Sequence, residues 1–205
     1  MRLIIKNKEC SELVEWKRNN PNKKLYTQLD STVRQPIRKA LLKEQFGLCA
    51  FCCDRVPKDS GRNAHLLSQH AYPHKSLLWE NLVASCEKKY CCDQEQRGRS
   101  LFFTPLMPEC ETEIKFFASG RIEGLTDRAK EAIKILGLDN HKLCAIRRRA
   151  IQLLAQREGC DPAEHISTLD PEERHLLIKA INTPDEDGLL PAFAPILVSY
   201  IKSLP

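Results

Sequence analysis

The chain has 205 residues, of which 29% are charged and only 6% aromatic, with a formal net charge of +5. That length suits one sizeable domain or two small ones, the charge is compatible with a polyanionic partner without demanding one, and so few rings exclude a large base-stacking platform. The opening apolar run, Leu3-Ile4-Ile5, is broken at once by Lys6, too soon for a signal peptide. No stretch approaches the roughly 20 apolar residues of a bilayer span, so a soluble, cytoplasmic protein is expected.

Residues 2–5 suit a short strand. Glu9 to Arg18 predicts a helix carrying Leu13, Val14 and Trp16 and stopped by Pro21. A second helix is predicted from Val33 to Phe46, with Val33, Ile37, Leu41 and Leu42 on one face and Gly47 as its terminator. Residues 54–63 read as polar loop, 64–84 mix short apolar pieces around Pro73, and 86–99 are polar and charged. Alternation from Glu111 to Ile122, with Ile114 and Phe116 on one face and Ser119-Gly120 as the turn, predicts a β-hairpin. Thr126 or Asp127 caps a helix that ends at Gly137. Asp139 or Asn140 begins another, with Leu143, Ile146, Ala150, Leu153 and Leu154 in phase and Arg147-Arg148-Arg149 placed opposite that stripe. Asp170-Pro171-Glu172-Glu173 combines a cap, a first-turn Pro and first-turn acids. Residues 183–188 form a loop, and a last apolar helix runs from near Pro191 to about Ser203. The expected fold class is α+β and mostly helical, with helices at both ends of a central segment. The expected division is 1–47, 48–105 and 106–205.

Six of the ten cysteines (Cys49, Cys52, Cys53, Cys86, Cys91, Cys92) fall in one stretch, while Cys10, Cys110, Cys144 and Cys160 are scattered and read as ordinary small apolar residues. In a reducing compartment such clustering points to metal rather than to disulfides. Cys49 and Cys52 make one knuckle, and Cys86 with either Cys91 or Cys92 makes the other, although four or five residues intervene there where two are usual. Four thiolates leave no open coordination position, so a zinc ion held by them is structural.

Between the knuckles lie His65, His70, His74 and Asn81. Phosphodiester hydrolysis needs a base to activate water, a divalent cation to neutralise phosphate, and a group to orient the base. Histidine suits the first task at neutral pH, oxygen ligands the second, and a backbone carbonyl or Asn the third.

Cys49-x-x-Cys52, His65, Asn81-Leu82-Val83-x-Ser85-Cys86, the following cysteines and Arg97-Gly98 resemble the HNH (ββα-metal) nuclease family. Within it, they are similar to the PtuB subunits of Septu-type anti-phage defence and to retron-associated HNH effectors. Leu41–Cys52, Phe103-Thr104-Pro105-Leu106, Ala118–Ile122 and Ile135–Asp139 extend the similarity over roughly residues 1–155. The resemblance implies a zinc-stabilised ββα-metal core and a nuclease that uses Mg²⁺ or Mn²⁺. Its general base would be His65, with His70 the alternative. Asn81 would position the His loop or give an oxygen to the metal, and Asp93 would hold the catalytic cation. Lys88, Lys89, Arg97 and Arg99 would meet substrate phosphates. Independently of the resemblance, Arg147-Arg148-Arg149 reads either as a face for nucleic acid or an acidic partner or as a solvated helix face. The resemblance also implies an anti-phage effector acting on DNA or RNA, including tRNA. Its partners would be a PtuA-like ABC/SMC-type ATPase and a retron reverse transcriptase with its RNA–DNA product. The pattern departs at Ala64, where the family carries an acid, and at Ser68, where it carries Pro. Ala64 is the best support for the alternative, a zinc-knuckle binding or scaffolding protein without catalysis.

Overall fold

The computed structural model describes residues 1–154 and 161–204, so Cys160 lies outside the described residues. The chain is α+β and mostly helical. Its elements are α1 (Ser11–Asn19), α2 (Ser31–Glu44), β1 (Arg62–His65), β2 (Leu82–Ser85), α3 (Asp93–Gln96), β3 (Ile114–Phe116), β4 (Ile122–Gly124), α4 (Asp127–Ile135), α5 (His141–Gln152), α6 (Pro162–Thr168), α7 (Pro171–Asn182) and α8 (Ala194–Ser203). The strands form two antiparallel pairs, β1 with β2 and β3 with β4. No helix among the described residues is long and apolar enough to cross a membrane.

The N-terminal segment is not a strand. Ile4 N–H reaches Pro105 O at 2.8 Å, but Pro105 has no N–H to continue a ladder. Met1 and Ile4 are instead used as core plugs while Ile5 is exposed. α2 buries Ile37, Leu41 and Leu42 and packs across both strands of the first ribbon. That ribbon pairs Arg62 with Ser85 and His65 with Leu82, so the predicted loop 54–63 ends two residues early in β1. All four residues of β2 are buried, which removes the alternation that would have marked it as a strand.

The second hairpin forms where alternation predicts it. Its Gly120 turn presses so closely on α5 that a Cβ there would sit 2.0 Å from Cys144 O. The capping signals also hold. Thr126 accepts from Ala129 N, Asn140 from Leu143 N, and Asp170 with Glu173 closes a capping box.

Expectations for α5 and the C-terminal region are corrected. Leu153 is 74% exposed, and Arg147 is 1% exposed. The buried face of α5 is Leu143, Arg147 and Ile151, and the Arg147 guanidinium donates to Gly120 O at 2.8 Å and to Leu138 O. It satisfies two carbonyls at chain turns and is closed off from the surface. α6 lay unread in the sequence although Asp161-Pro162 caps it by the same chemistry as α7. The last helix begins at Ala194 after Phe193 turns through φ 61°. Phe193 N–H then donates to Cys53 O at 2.7 Å, and Leu190 N–H to Phe46 O at 3.0 Å, so the C-terminal helices back the first knuckle.

Candidate metal centre and cleft

Cys49 and Cys52 sit in a tight knuckle closed by Cys49 N–H to Asp54 O (2.8 Å) and Cys53 N–H to Cys49 O (3.0 Å), with Cys53 turning at φ 61°. Cys86 follows directly on β2. Cys92 also turns at φ 61°, donates its N–H to Leu136 O at 2.7 Å, and leads into α3. The Sγ atoms of Cys49, Cys52, Cys86 and Cys92 all lie within 4.8 Å of one another, and all four residues are buried. Cys49 and Cys92 sulfurs are 3.7 Å apart, and those of Cys52 and Cys86 are 3.9 Å apart. A tetrahedron with metal–sulfur bonds of about 2.3 Å has edges of about 3.8 Å, so the group is able to hold a tetrahedral ion. Hydrogen bonds from Cys49, Cys52, Cys91 and Cys92 hold the Cys86 thiol well below its ordinary value, against the opposing effect of burial. The backbone N–H of Cys86 in turn reaches Cys49 Sγ at 3.3 Å. Cys91 flanks the group, 3.5 Å from Cys92 by sulfur, and Cys53 stands apart, its thiol pushed up by burial.

The β1–β2 ribbon and α3 lie immediately beyond this group and open on a cleft of about 750 Å³ lined by Arg62, Asn63, His65, His70, Asp93 and Arg97, among others. His65 ends β1 and is 7% exposed. Its Nε2 lies 3.0 Å from Ser76 O. A carbonyl only accepts, so Nε2 carries the proton and Nδ1 keeps its lone pair. Burial lowers the imidazole to about 4, only partly offset by the Ser76 carbonyl, so the ring is neutral at physiological pH. The Tyr26 ring meets it edge-on at 4.7 Å. Asp93 opens α3. Burial raises its carboxyl, and Arg62, 4.0 Å away, acts in the opposite sense.

Asn81 is buried behind this surface. Its Oδ1 accepts from Leu67 N (2.7 Å), and its Nδ2 donates to Leu67 O (3.2 Å) and Lys75 O (3.1 Å), pinning the loop between the strands. Ser68 takes a related part: its Oγ accepts from His70 N and Ala71 N, and its own N–H reaches Ser100 Oγ. The basic residues separate into two groups. Lys88 is paired with Asp54 at 2.6 Å. Arg99 is committed to Gln96 O, Glu95 O and Ile135 O. Lys89 and Arg97 are exposed, and Arg97 lies on the cleft.

Sequence reasoning missed four residues around the cleft. Arg62 lines it. Buried Gln96 donates to His65 O and Arg99 O, locking α3 to the end of β1. Tyr26 and Ser76 enclose His65. A Gln three residues after Asp93 on one helical turn is the one local signal among them.

No family model matches the chain. It is 25% identical over 136 residues to the Retron Vc95 putative HNH endonuclease of Vibrio cholerae serotype O1 biovar El Tor. That match takes in 60% of this chain and 66% of the relative, just under two thirds of its length.

Proposed function

We propose that the chain is a metal-dependent endonuclease of the HNH, or ββα-metal, type, with a structural zinc ion on Cys49, Cys52, Cys86 and Cys92. The observation that carries this reading is the order ribbon, sulfur group, helix, with His65 from β1 and Asp93 from α3 lining one cleft. The likeness to a retron protein named as an HNH endonuclease supports it.

In this reading His65 Nδ1 takes the proton of the attacking water. Its Nε2–H bond to Ser76 O strengthens as the ring becomes cationic. A phosphate in the cleft raises the imidazole from its low resting value toward the range where a base is effective. Asp93 suits Mg²⁺ or Mn²⁺, which is commonly held by one or two carboxylates with substrate phosphates and water. Its only ion partner among the described residues is Arg62 at 4.0 Å, and Ala64 adds no oxygen. The bound cation supplies charge neutralisation at the phosphate and the leaving oxygen. Asn81 is a positioning residue for the His loop, and Arg62, Lys89 and Arg97 meet backbone phosphates.

The reading extends to an anti-phage effector of Septu or retron type. It would act beside a PtuA-like ABC/SMC-type ATPase and a retron reverse transcriptase with its RNA–DNA product, on DNA or on RNA including tRNA. Ala64, standing where the resemblance calls for an acid, favours a second reading: a zinc-knuckle module that binds nucleic acid or scaffolds without cutting. Co-expression with a PtuA-like ATPase, followed by cleavage assays on plasmid DNA and total RNA with Mg²⁺ or Mn²⁺, separates the two. Cleavage lost in His65→Ala and Asp93→Ala supports the nuclease. Binding by wild type with no cleavage under any metal establishes the second reading.

A further inference from the structure

His65 is gripped from outside its own ribbon. The single 3-10 turn Tyr26–Gln28, between α1 and α2, presents the Tyr26 ring edge-on to the imidazole, with planes at 85° and centroids 4.7 Å apart. The Tyr26 backbone N–H donates to Ser76 Oγ at 3.1 Å, and the carbonyl of that same Ser76 accepts His65 Nε2–H at 3.0 Å. The Tyr26 hydroxyl accepts from Asn63 Nδ2 at 2.8 Å, and the second Asn63 amide hydrogen goes to Arg34 O on α2, also at 2.8 Å. Tyr26 and Ser76 are both buried.

We infer that Tyr26 is the positioning residue of the cleft: through its ring and through Ser76 it holds the His65 imidazole with Nε2 on a carbonyl and Nδ1 free to take a proton. This rests on the reading of His65 as the base. The last torsion of a His side chain is broad and roughly two-fold, so a single hydrogen bond from Nε2 defines the ring poorly. The perpendicular Tyr26 ring removes the alternative and excludes water from that side. His65 Nδ1 has no hydrogen-bond partner among the described residues, and His65 lines the cleft. The titratable and charged groups around it are Tyr26 on the 3-10 turn with Arg34 of α2 over its ring, and, on the cleft, Arg62 on β1, Asp93 on α3, Arg97 after α3 and His70 on the loop. None of them hydrogen-bonds the ring; burial lowers its proton affinity, the Ser76 carbonyl partly offsets it, and the Tyr26 ring packs edge-on against the imidazole.

The test uses the full, metal-loaded chain with ¹³C-labelled histidine, the His65 signal being assigned by its loss in His65→Ala. In wild type and in Tyr26→Phe, which keeps the ring, His65 titrates near its low value of about 4. In Tyr26→Leu it rises toward the ordinary imidazole value of about 6.5, and the acid limb of the cleavage pH profile rises with it. Neutral-pH cleavage by Tyr26→Leu falls on the order of tenfold to a hundredfold. An unmoved His65 titration and acid limb in a folded Tyr26→Leu overturns the inference. If Tyr26→Leu does not fold, imidazole ¹⁵N shifts of the wild-type protein decide: protonated Nε2 with bare Nδ1 is expected, and the opposite tautomer overturns it. Should wild type cut no nucleic acid, the nuclease reading fails, while the titration and ¹⁵N arms still judge the Tyr26 clamp.

Discussion

At the scale of single residues, His65 and Asn81 are both buried polar groups of one loop, but they are stabilised by opposite means. Asn81 meets its burial cost with three hydrogen bonds to backbone. Asn81→Ala leaves Leu67 N, Leu67 O and Lys75 O without those partners, and thermal or urea unfolding should show a loss of about 2–4 kcal/mol. Asn81→Asp, which still accepts from Leu67 N but turns a buried carboxylate oxygen toward Leu67 O and Lys75 O, should cost at least as much. His65 meets its burial by staying neutral. Its native value of about 4 lies below the ordinary 6.5, so the unfolded chain takes up a proton that the native ring refuses. The stabilising effect is complete above about pH 6.5 and is lost as pH falls toward 4, a change of about 3 kcal/mol. Urea midpoints across that window should fall more steeply for wild type than for His65→Gln, and parallel slopes would exclude the effect. Residue types and spacing mark the segment between the cysteine pairs, and the family resemblance points to His65, Asn81 and Asp93 in and beside it. They are silent on Tyr26 and Ser76, because a T-shaped ring contact and a shared carbonyl leave no periodic trace.

At the scale of elements, legibility follows length and capping. α2 and α5 announce themselves through apolar periodicity, and α4, α5 and α7 through oxygen caps. The four-residue strands β1 and β2 do not, because their burial does not alternate. α3 has only four residues, far below what a helix needs to hold itself together. It persists because Cys92 anchors its start, Gln96 ties it to His65 O, and Arg99 bridges its end to Ile135 O. The four-cysteine group and the cleft are therefore one mechanical unit. Chelation of the metal should accelerate amide hydrogen exchange over residues 92–99 and at His65 before it affects α7. The choice left open in the sequence, Cys91 or Cys92, has a direct check: purified Cys92→Ser should lose its zinc, while Cys91→Ser should retain one equivalent.

At the scale of the whole molecule, one apolar core among the described residues runs from Met1 to Ile201, so the segments 1–47, 48–105 and 106–205 all contribute to it. The C-terminal helices are part of the support of the four-cysteine group. Phe193 is buried against the first knuckle, its N–H on Cys53 O, and α8 packs on α5, α7 and β3. Phe193→Ala should cost about 3–5 kcal/mol through the cavity it leaves. That loss should be felt at the knuckle, since the same residue starts α8 and closes over Cys53. Zinc release to a competing chelator should therefore be faster in Phe193→Ala than in wild type. Leu176→Ala, on the exposed face of α7, serves as the control and should leave both stability and release rate unchanged. If Phe193→Ala lost stability while holding zinc as firmly as wild type, α8 would be a separate stabilising layer rather than the back wall of the four-cysteine group. The buried Phe193 side chain sits on the residue whose main-chain N–H meets Cys53 O, so a cavity there loosens the backbone that holds the knuckle, and the coupled outcome is the expected one.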